Sequence, residues 1–391
     1  MFEKRTISDI NVSGKRVLVR VDFNVPLKDG RVGDDTRIRS ALPTINYLID
    51  KGAAVILCSH LGRPKGEVNT GLSLKPVSVY LQSLVKTPVN FVDDCMGPKV
   101  SQSVESLNYR EILVLENTRF HAGEKSNDPE MAKELASLAD IFVNDAFGTA
   151  HRAHASNVGV SEYLPSVAGC LMEREIKFLG QAIAAPKRPL IAILGGAKVS
   201  DKIGVIKNLF KIADSILIGG GMANTFFKAQ GLKVGDSLVE DDSLLIAKDL
   251  METGKDQLHL PVDVVIGDAF DPDANSRTMA VESIPEGWRI LDVGPETIRS
   301  FSDFLSNSGT IVWNGPMGVF EFDKFSRGTF GLAEAVAKSS AVTIIGGGDS
   351  VAAVKQSGLA ESVTHISTGG GAFLELLEGK TLPGLAALND K

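Results

Sequence analysis

Arginine, histidine, lysine and glycine divide this chain of 391 residues into two chemistries. In the first part Arg63, Arg119 and Arg152 follow strand-like runs and Arg37 opens a helix-like stretch, with His60, His151 and His154 nearby in sequence. Guanidinium forks bind carboxylates and phosphates bidentately, so arginines gathered at strand ends point to a small phosphorylated carboxylate. Neighbouring arginines repel cations and no acidic or thiol ligand accompanies the histidines, which favours imidazoles donating hydrogen bonds to an anion over a metal centre. Asp22 and Asn24, in RVDFN (residues 20–24), would contact substrate hydroxyls or simply shape a turn.

The second part ends its apolar runs in glycines: GGAK (195–198), GGG (219–221), GGGDS (346–350) and TGGG (368–371). Glycine turns at the start of a helix let backbone N–H groups approach phosphate oxygens. Lys198 and Lys202 are four apart, on one face if a helix begins there, and at least one is expected to meet phosphate. Gly347, Gly348, Asp349 and Ser350 combine a backbone cradle with a carboxylate suited to Mg²⁺ shared with nucleotide phosphates, although Asp349 would also serve as a helix cap. In WNGPMGVFE (313–321) a rigid apolar turn precedes Glu321, a possible acceptor for ribose hydroxyls.

Two nucleotide motifs are missing. The single GKT, residues 379–381, has Leu374 where a phosphate-binding loop needs its first glycine. Asn224 stands where the dinucleotide fingerprint after residue 219 wants glycine, and Asp214 precedes a strand instead of ending one. Both points weigh against an NAD-dependent dehydrogenase; a non-catalytic sugar-phosphate-binding protein would need neither Mg²⁺ nor a lysine pair.

The elements that must position these groups recur in a βα rhythm. Apolar runs at residues 17–21, 54–57, 89–92, 112–115 and 141–143 alternate with helix-length stretches such as 36–51, where Ile38, Leu42, Ile45 and Ile49 share a face, and 129–139. The rhythm restarts at 190–194, 216–218, 262–266, 310–313, 342–345 and 363–366. This predicts an α/β protein of two doubly wound parallel-sheet, Rossmann-like domains joined by a connecting helix over 171–185, with Leu171, Ile176, Leu179 and Ile183 along one side. Ligands of such sheets lie beyond the carboxyl ends of the strands, where the motifs above fall.

Composition agrees with two cores: the length exceeds what one core usually supports, and 43% of residues are hydrophobic. A net charge of -7 argues against nucleic-acid binding. Cys58, Cys95 and Cys170 form no CxxC pair, so neither a disulfide framework nor a zinc site is expected. No apolar leader follows Met1-Phe2-Glu3 and no run reaches the roughly 18 apolar residues of a membrane span, which makes a soluble cytoplasmic protein the expectation.

At these segments the chain resembles the phosphoglycerate kinase family, in order and over nearly its whole length: RVDFNVP (20–26), SHLGRP (59–64), ENTRF (116–120), GTAHRAH (148–154), GGAKVSDK (195–202), GGG (219–221), WNGPMGVFE (313–321), GGGDS (346–350) and TGGG (368–371). Thr118 and Ser350 depart from residues common in the family without removing a charge. The resemblance implies a substrate domain for 3-phosphoglycerate over 1–170, a helix and hinge over 171–186, a nucleotide domain over 187–375, and a tail over 376–391 packing back on the first domain. It implies glycerate binding by Asp22, Phe23, Asn24, Arg37, His60, Leu61, Gly62, Arg63, Arg119 and Arg152. Gly196, Lys202, Gly220, Asn314, Glu321, Gly347, Gly348, Asp349 and Ser350 would bind ADP or ATP, with Asp349 near Mg²⁺. Arg37, Lys198, Gly370 and Gly371 would stabilise the phosphoryl group in transfer, in a monomer that closes about its hinge.

Overall fold

A computed structural model describes residues 3–391; Met1 and Phe2 lie outside the described residues. The chain divides into two compact units, residues 1–177 with 381–391, and residues 178–380.

The first unit is built on six parallel strands, β1 (Arg16–Arg20), β2 (Ala54–Cys58), β3 (Val89–Phe91), β4 (Ile112–Val114), β5 (Ile141–Asn144) and β6 (Ser166–Ala168), in the spatial order β3-β4-β2-β1-β5-β6. Successive side chains alternate between faces. Val17, Val19, Val55, Leu57 and Val143 pack on one side, while Leu18, Ile56, Leu113 and Phe142 pack on the other. Each fully buried aliphatic side chain stabilises the fold by about 1.5–3 kcal/mol, and both faces need cover, hence the continuous apolar runs. Helix α1 (Thr36–Asp50) covers the first face with Ile38, Ala41, Ile45 and Leu48. The buried stripe is thus rotated from the expected one, with Leu42 and Ile49 at its partly buried edge.

Helix α2 (Cys170–Ala184) contains the division between units, between Lys177 and Phe178, instead of lying wholly between them. Its first turn is fixed by Asp145, just beyond β5, whose Oδ1 accepts from the N–H groups of Leu171 (2.9 Å) and Met172 (3.2 Å). Residues 381–391 belong to the first unit, where the Arg5 N–H donates to the Asn389 carbonyl at 2.8 Å.

The second unit has its own six-stranded parallel sheet: β7 (Leu190–Leu194), β8 (Ser215–Ile218), β9 (Leu258–His259), β13 (Thr310–Asn314), β14 (Val342–Ile345) and β15 (His365–Ile366), in the order β9-β8-β7-β13-β14-β15. The order reverses between β7 and β13, which opens a crevice at their carboxyl ends. One expected parallel strand lies elsewhere: residues 262–266 fall largely in β10 (Asp263–Gly267), which pairs antiparallel with β11 (Ser276–Ala280) and β12 (Arg289–Val293) in a separate sheet. The segment after β10 is too short for a helical crossover, and Asp268 turns it back by accepting from Asn275 N (3.0 Å) and Nδ2 (2.7 Å). Among the described residues no helix is long and apolar enough to cross a membrane.

Candidate active site

In the first unit the loops after β1, β2 and β4 are tied to the start of α1. Arg37 Nη1 lies 3.0 Å from Asp22 Oδ1, 2.9 Å from Asp22 Oδ2 and 3.1 Å from the Asn24 carbonyl. Asn24 Oδ1 accepts from Gly62 N at 2.9 Å, and Arg119 Nη1 donates to the Gly62 carbonyl at 2.8 Å. Phe23 N donates to Ser59 Oγ (2.9 Å), and the buried Asn117 bonds both backbone groups of Leu61. Asp22, Phe23, Asn24, Arg37, Leu61, Gly62 and Arg119 therefore form one bonded cluster. Arg63 is exposed and close enough for its charge to act on Arg119. Arg152 is exposed and joins this cluster through no hydrogen bond or ion pair among the described residues.

Beneath the cluster lies a buried charged layer that motif reading missed. Arg20, at the end of β1, is fully buried and donates from Nε to Ser156 Oγ (2.8 Å), from Nη1 to the Val21 carbonyl (2.5 Å) and from Nη2 to His60 Nδ1 (3.2 Å). Its counter-charge is Glu124, also fully buried, 3.9 Å away. Burial alone would raise the Glu124 carboxyl, but His154, Arg20 and Ser156 together hold it down to about 2. The histidines are thus not free of acidic company, because His154 Nδ1 lies 3.7 Å from Glu124 Oε1. His60 is driven well below the ordinary imidazole value by burial first and then by the charges of Arg20, Arg119 and Arg37. A guanidinium can only donate, so Nδ1 of the neutral His60 ring accepts and its proton sits on Nε2. The sequence signal for this layer was an arginine closing an otherwise apolar strand.

In the second unit the glycine turns meet at the carboxyl ends of β7, β8, β13 and β14. Gly195 N donates to the Asn314 carbonyl (2.9 Å), Gly196 N to Pro316 O (3.0 Å), Gly220 N to Met317 O (2.9 Å) and Gly346 N to Trp313 O (3.0 Å). A Cβ on Gly195 would stand 2.0 Å from the Pro316 oxygen. The N–H groups of Gly196 and Gly220 are spent on joining turns; tight packing accounts for Gly195, Gly219 and Gly220, whereas Gly196, with nothing within 4 Å of an added Cβ, owes its glycine to a φ of +106. The turns before α4 (Gly348–Gln356) and α5 (Gly370–Leu377) differ: the N–H groups of Gly348, Gly370 and Gly371 donate to no acceptor among the described residues. Gly347, at φ +100, bends the chain into the first of them.

Polar side chains reinforce this frame. The buried Asn314 donates from Nδ2 to the Gly346 carbonyl (2.7 Å) and accepts from Lys202 Nζ at Oδ1, while the buried Ser350 Oγ accepts from Gly315 N (2.5 Å). Asn314 and Ser350 therefore hold turns together. Asp349 and Glu321 are exposed. The two lysines do not share a helical face: helix α3 (Ile203–Ile212) begins only after both, leaving Lys198 exposed and Lys202 buried, its ammonium lowered to about 8 by burial despite Asp201 and Asp349.

The first unit by itself thus holds a basic, carboxylate-anchored cluster, and the second by itself holds open helix starts, a lysine and an acid. A family model described as phosphoglycerate kinase matches residues 7–380. The chain belongs to the phosphoglycerate kinase family. It is 59% identical to the phosphoglycerate kinase of Herpetosiphon aurantiacus over 394 aligned positions, covering 100% of both chains, and 56% identical to that of Moorella thermoacetica, covering 99% of this chain and 100% of the relative. Among solved structures it resembles phosphoglycerate kinase from Coxiella burnetii (42% identity, TM-score 0.90) and from Pyrococcus horikoshii (35% identity, TM-score 0.87), each comparison covering 98% of both chains. The two parallel-sheet domains expected from the βα rhythm are those of this family.

Family membership leaves other buried groups of this chain to be read from its own geometry. Asp145, fully buried at the start of α2, is raised by burial to about 6, with hydrogen bonds to Thr44 and the helix N–H groups opposing. Asp292, at the end region of β12, is raised by burial to about 8 and accepts from Gly328 N at 2.6 Å. Neither stood out in sequence, since a single acid in an apolar run carries no motif.

Proposed function

We propose that this chain reversibly transfers a phosphoryl group from 1,3-bisphosphoglycerate to Mg-ADP, giving 3-phosphoglycerate and Mg-ATP. The family match over residues 7–380 carries the reading. Coupled formation of ATP from 1,3-bisphosphoglycerate and ADP tests it; absence of ATP formation by folded protein would overturn it.

In this reading the glycerate ligand meets Asp22, Phe23, Asn24, Arg37, His60, Leu61, Gly62, Arg63, Arg119 and Arg152. The bonds of Arg37 to Asp22 and Asn24 all leave from Nη1, so Nε and Nη2 can turn to an anion. His60 offers Nε2–H as a neutral donor, fixed in tautomer by Arg20. The nucleotide lies over Gly196, Gly220, Glu321 and the Gly347–Ser350 turn, with Asn314 holding Lys202 in place.

The attacking oxygen, on a carboxylate or a nucleotide phosphate, is already an anion, so no general base is required. Catalysis then rests on alignment and on neutralising the oxygens of the phosphoryl group. Arg37 and Lys198 supply positive charge from opposite units, and the open N–H groups of Gly370 and Gly371 supply hydrogen bonds at a helix start. The exposed Asp349 carboxylate, in the first turn of α4 beside N–H groups without protein acceptors, fits a hard cation shared with phosphate oxygens. Bound there, Mg²⁺ would offset phosphate charge. Bringing the two ligands together requires closure about the hinge near α2, which also excludes water from the acyl phosphate. A monomer in the cytoplasm completes the reading, with no nucleic-acid partner for a chain of net charge -7.

A further inference from the structure

Just past the turn that carries Arg119, on the first unit, three side chains of different donor type converge: Asp94, Cys95 and His121. One ligand atom from each lies within 4.8 Å of the other two. His121 Nε2 and Asp94 Oδ1 are 2.7 Å apart, and Cys95 N donates to the same oxygen at 2.7 Å. Cys95 is fully buried, whereas the side chains of Asp94 and His121 are 44% and 28% exposed. The thiol is therefore the buried floor of the group, and the other two side chains are its walls, open to water. The backbone fixes those walls: Glu116 N donates to the Asp94 carbonyl (3.1 Å), and His121 N donates to the Thr118 carbonyl (3.2 Å).

We propose that Asp94, Cys95 and His121 form a binding site for a thiophilic divalent cation of the Zn²⁺ class, with water as fourth ligand. Thiolate, imidazole and carboxylate together match zinc, and a tetrahedral zinc ion holds such donors about 3.4–3.6 Å from one another, between the 2.7 Å contact and the 4.8 Å limit. Small rotations of the two exposed side chains suffice, while the buried sulfur stays in place. The Asp94 carboxylate sets a negative field beside the sulfur, which favours a cation there. A cation compensates that field and takes up the sulfur lone pair as the thiol proton leaves to water. Because His121 directly follows the turn that carries Arg119, occupancy would replace the Asp94–His121 hydrogen bond and pin the end of that turn. This site is separate from the one read as holding Mg²⁺, whose ligands are oxygens.

The test uses tag-free, full-length, reduced protein titrated with Co²⁺ as a spectroscopic probe and then with Zn²⁺ in competition. The expected result is a thiolate-to-cobalt charge-transfer band that saturates at one equivalent, is displaced by Zn²⁺ but not by excess Mg²⁺, and is lost in Cys95→Ala. His121→Gln should weaken binding at least about 10-fold, as loss of a metal ligand or its partner does. Circular dichroism and unfolding midpoints establish that the variants are folded, and Cys58→Ala serves as a folded control that keeps the band. A saturated titration without the band, or a band that survives in Cys95→Ala, would overturn the proposal.

Discussion

Arg20 Nη2 and His60 Nδ1 lie 3.2 Å apart inside the first unit, a contact that fixes the tautomer of a neutral imidazole. His60 is held far below the ordinary value by burial and by three arginines, so it should not gain a proton as pH falls through about 6.5, where a free imidazole does. The KM for 3-phosphoglycerate is expected to show no imidazole titration, and His60→Gln, which keeps a neutral N–H donor, should bind substrate better than His60→Ala. Steady-state kinetics over pH would reveal a titration near 6.5 if the histidine were instead protonated.

The same arginine balances Glu124. Arg20→Met leaves a buried carboxylate uncompensated and should cost about 3–5 kcal/mol of stability. Arg20→Met combined with Glu124→Gln removes both charges and should recover much of that loss. Urea unfolding of the three proteins measures it; a double variant no more stable than the single one would refute the coupling.

Lys202 gives the second unit a pH signature. Its folded value, about 8, lies below the ordinary 10.5, so the unfolded chain holds more protons between the two and stability from this group increases as pH rises across that interval. Its positive charge is lost over the same rise. Nucleotide affinity is therefore expected to weaken above about pH 8 and to stay flat in Lys202→Arg, measured by calorimetric titration.

Two glycine substitutions should separate packing from binding. Gly195→Ala drives a methyl into the Pro316 oxygen and is expected to destabilise the second unit, whereas Gly348 has nothing within 4 Å of an added Cβ. Gly348→Ala should leave the unfolding midpoint nearly unchanged, yet weaken nucleotide binding if phosphate approaches that helix start. Equal loss of stability in both variants would be the contrary result.

Arg37→Ala and Lys198→Ala should each lower kcat by roughly 10²-fold if they act on the phosphoryl group in flight. An effect confined to KM would reassign the residue to ground-state binding.

Closure should appear in small-angle scattering as a smaller radius of gyration with both ligands than with either alone. An unchanged curve would count against it.

The fold was legible wherever burial on both sheet faces forces a continuous apolar strand, as at residues 190–194 and 54–58. It was illegible in β9, whose two residues Leu258 and His259 make no apolar run, and where a turn sends an equally apolar strand into an antiparallel sheet, as in β10. Site residues at strand ends announced themselves by charge or glycine. What spacing could not convey was which donors are already used: Gly196 and Gly220 look like phosphate cradles in sequence, and only the contacts to Pro316 and Met317 show their N–H groups engaged. Lys202 reads like its neighbour Lys198 until the helix start at Ile203 separates a buried lysine from an exposed one.

The closing segment has a consequence for synthesis. Lys4 is buried, donates from Nζ to the Leu388 carbonyl at 2.7 Å and pairs with Asp390, while Lys391 N donates to the Glu3 carbonyl at 3.1 Å. Residues 178–380 are thus threaded into the first unit as an insertion. The contacts of Lys4 with residues 388–390 can therefore form only after every residue of the inserted unit has been joined to the chain, so the first unit cannot be completed before the second has been synthesised.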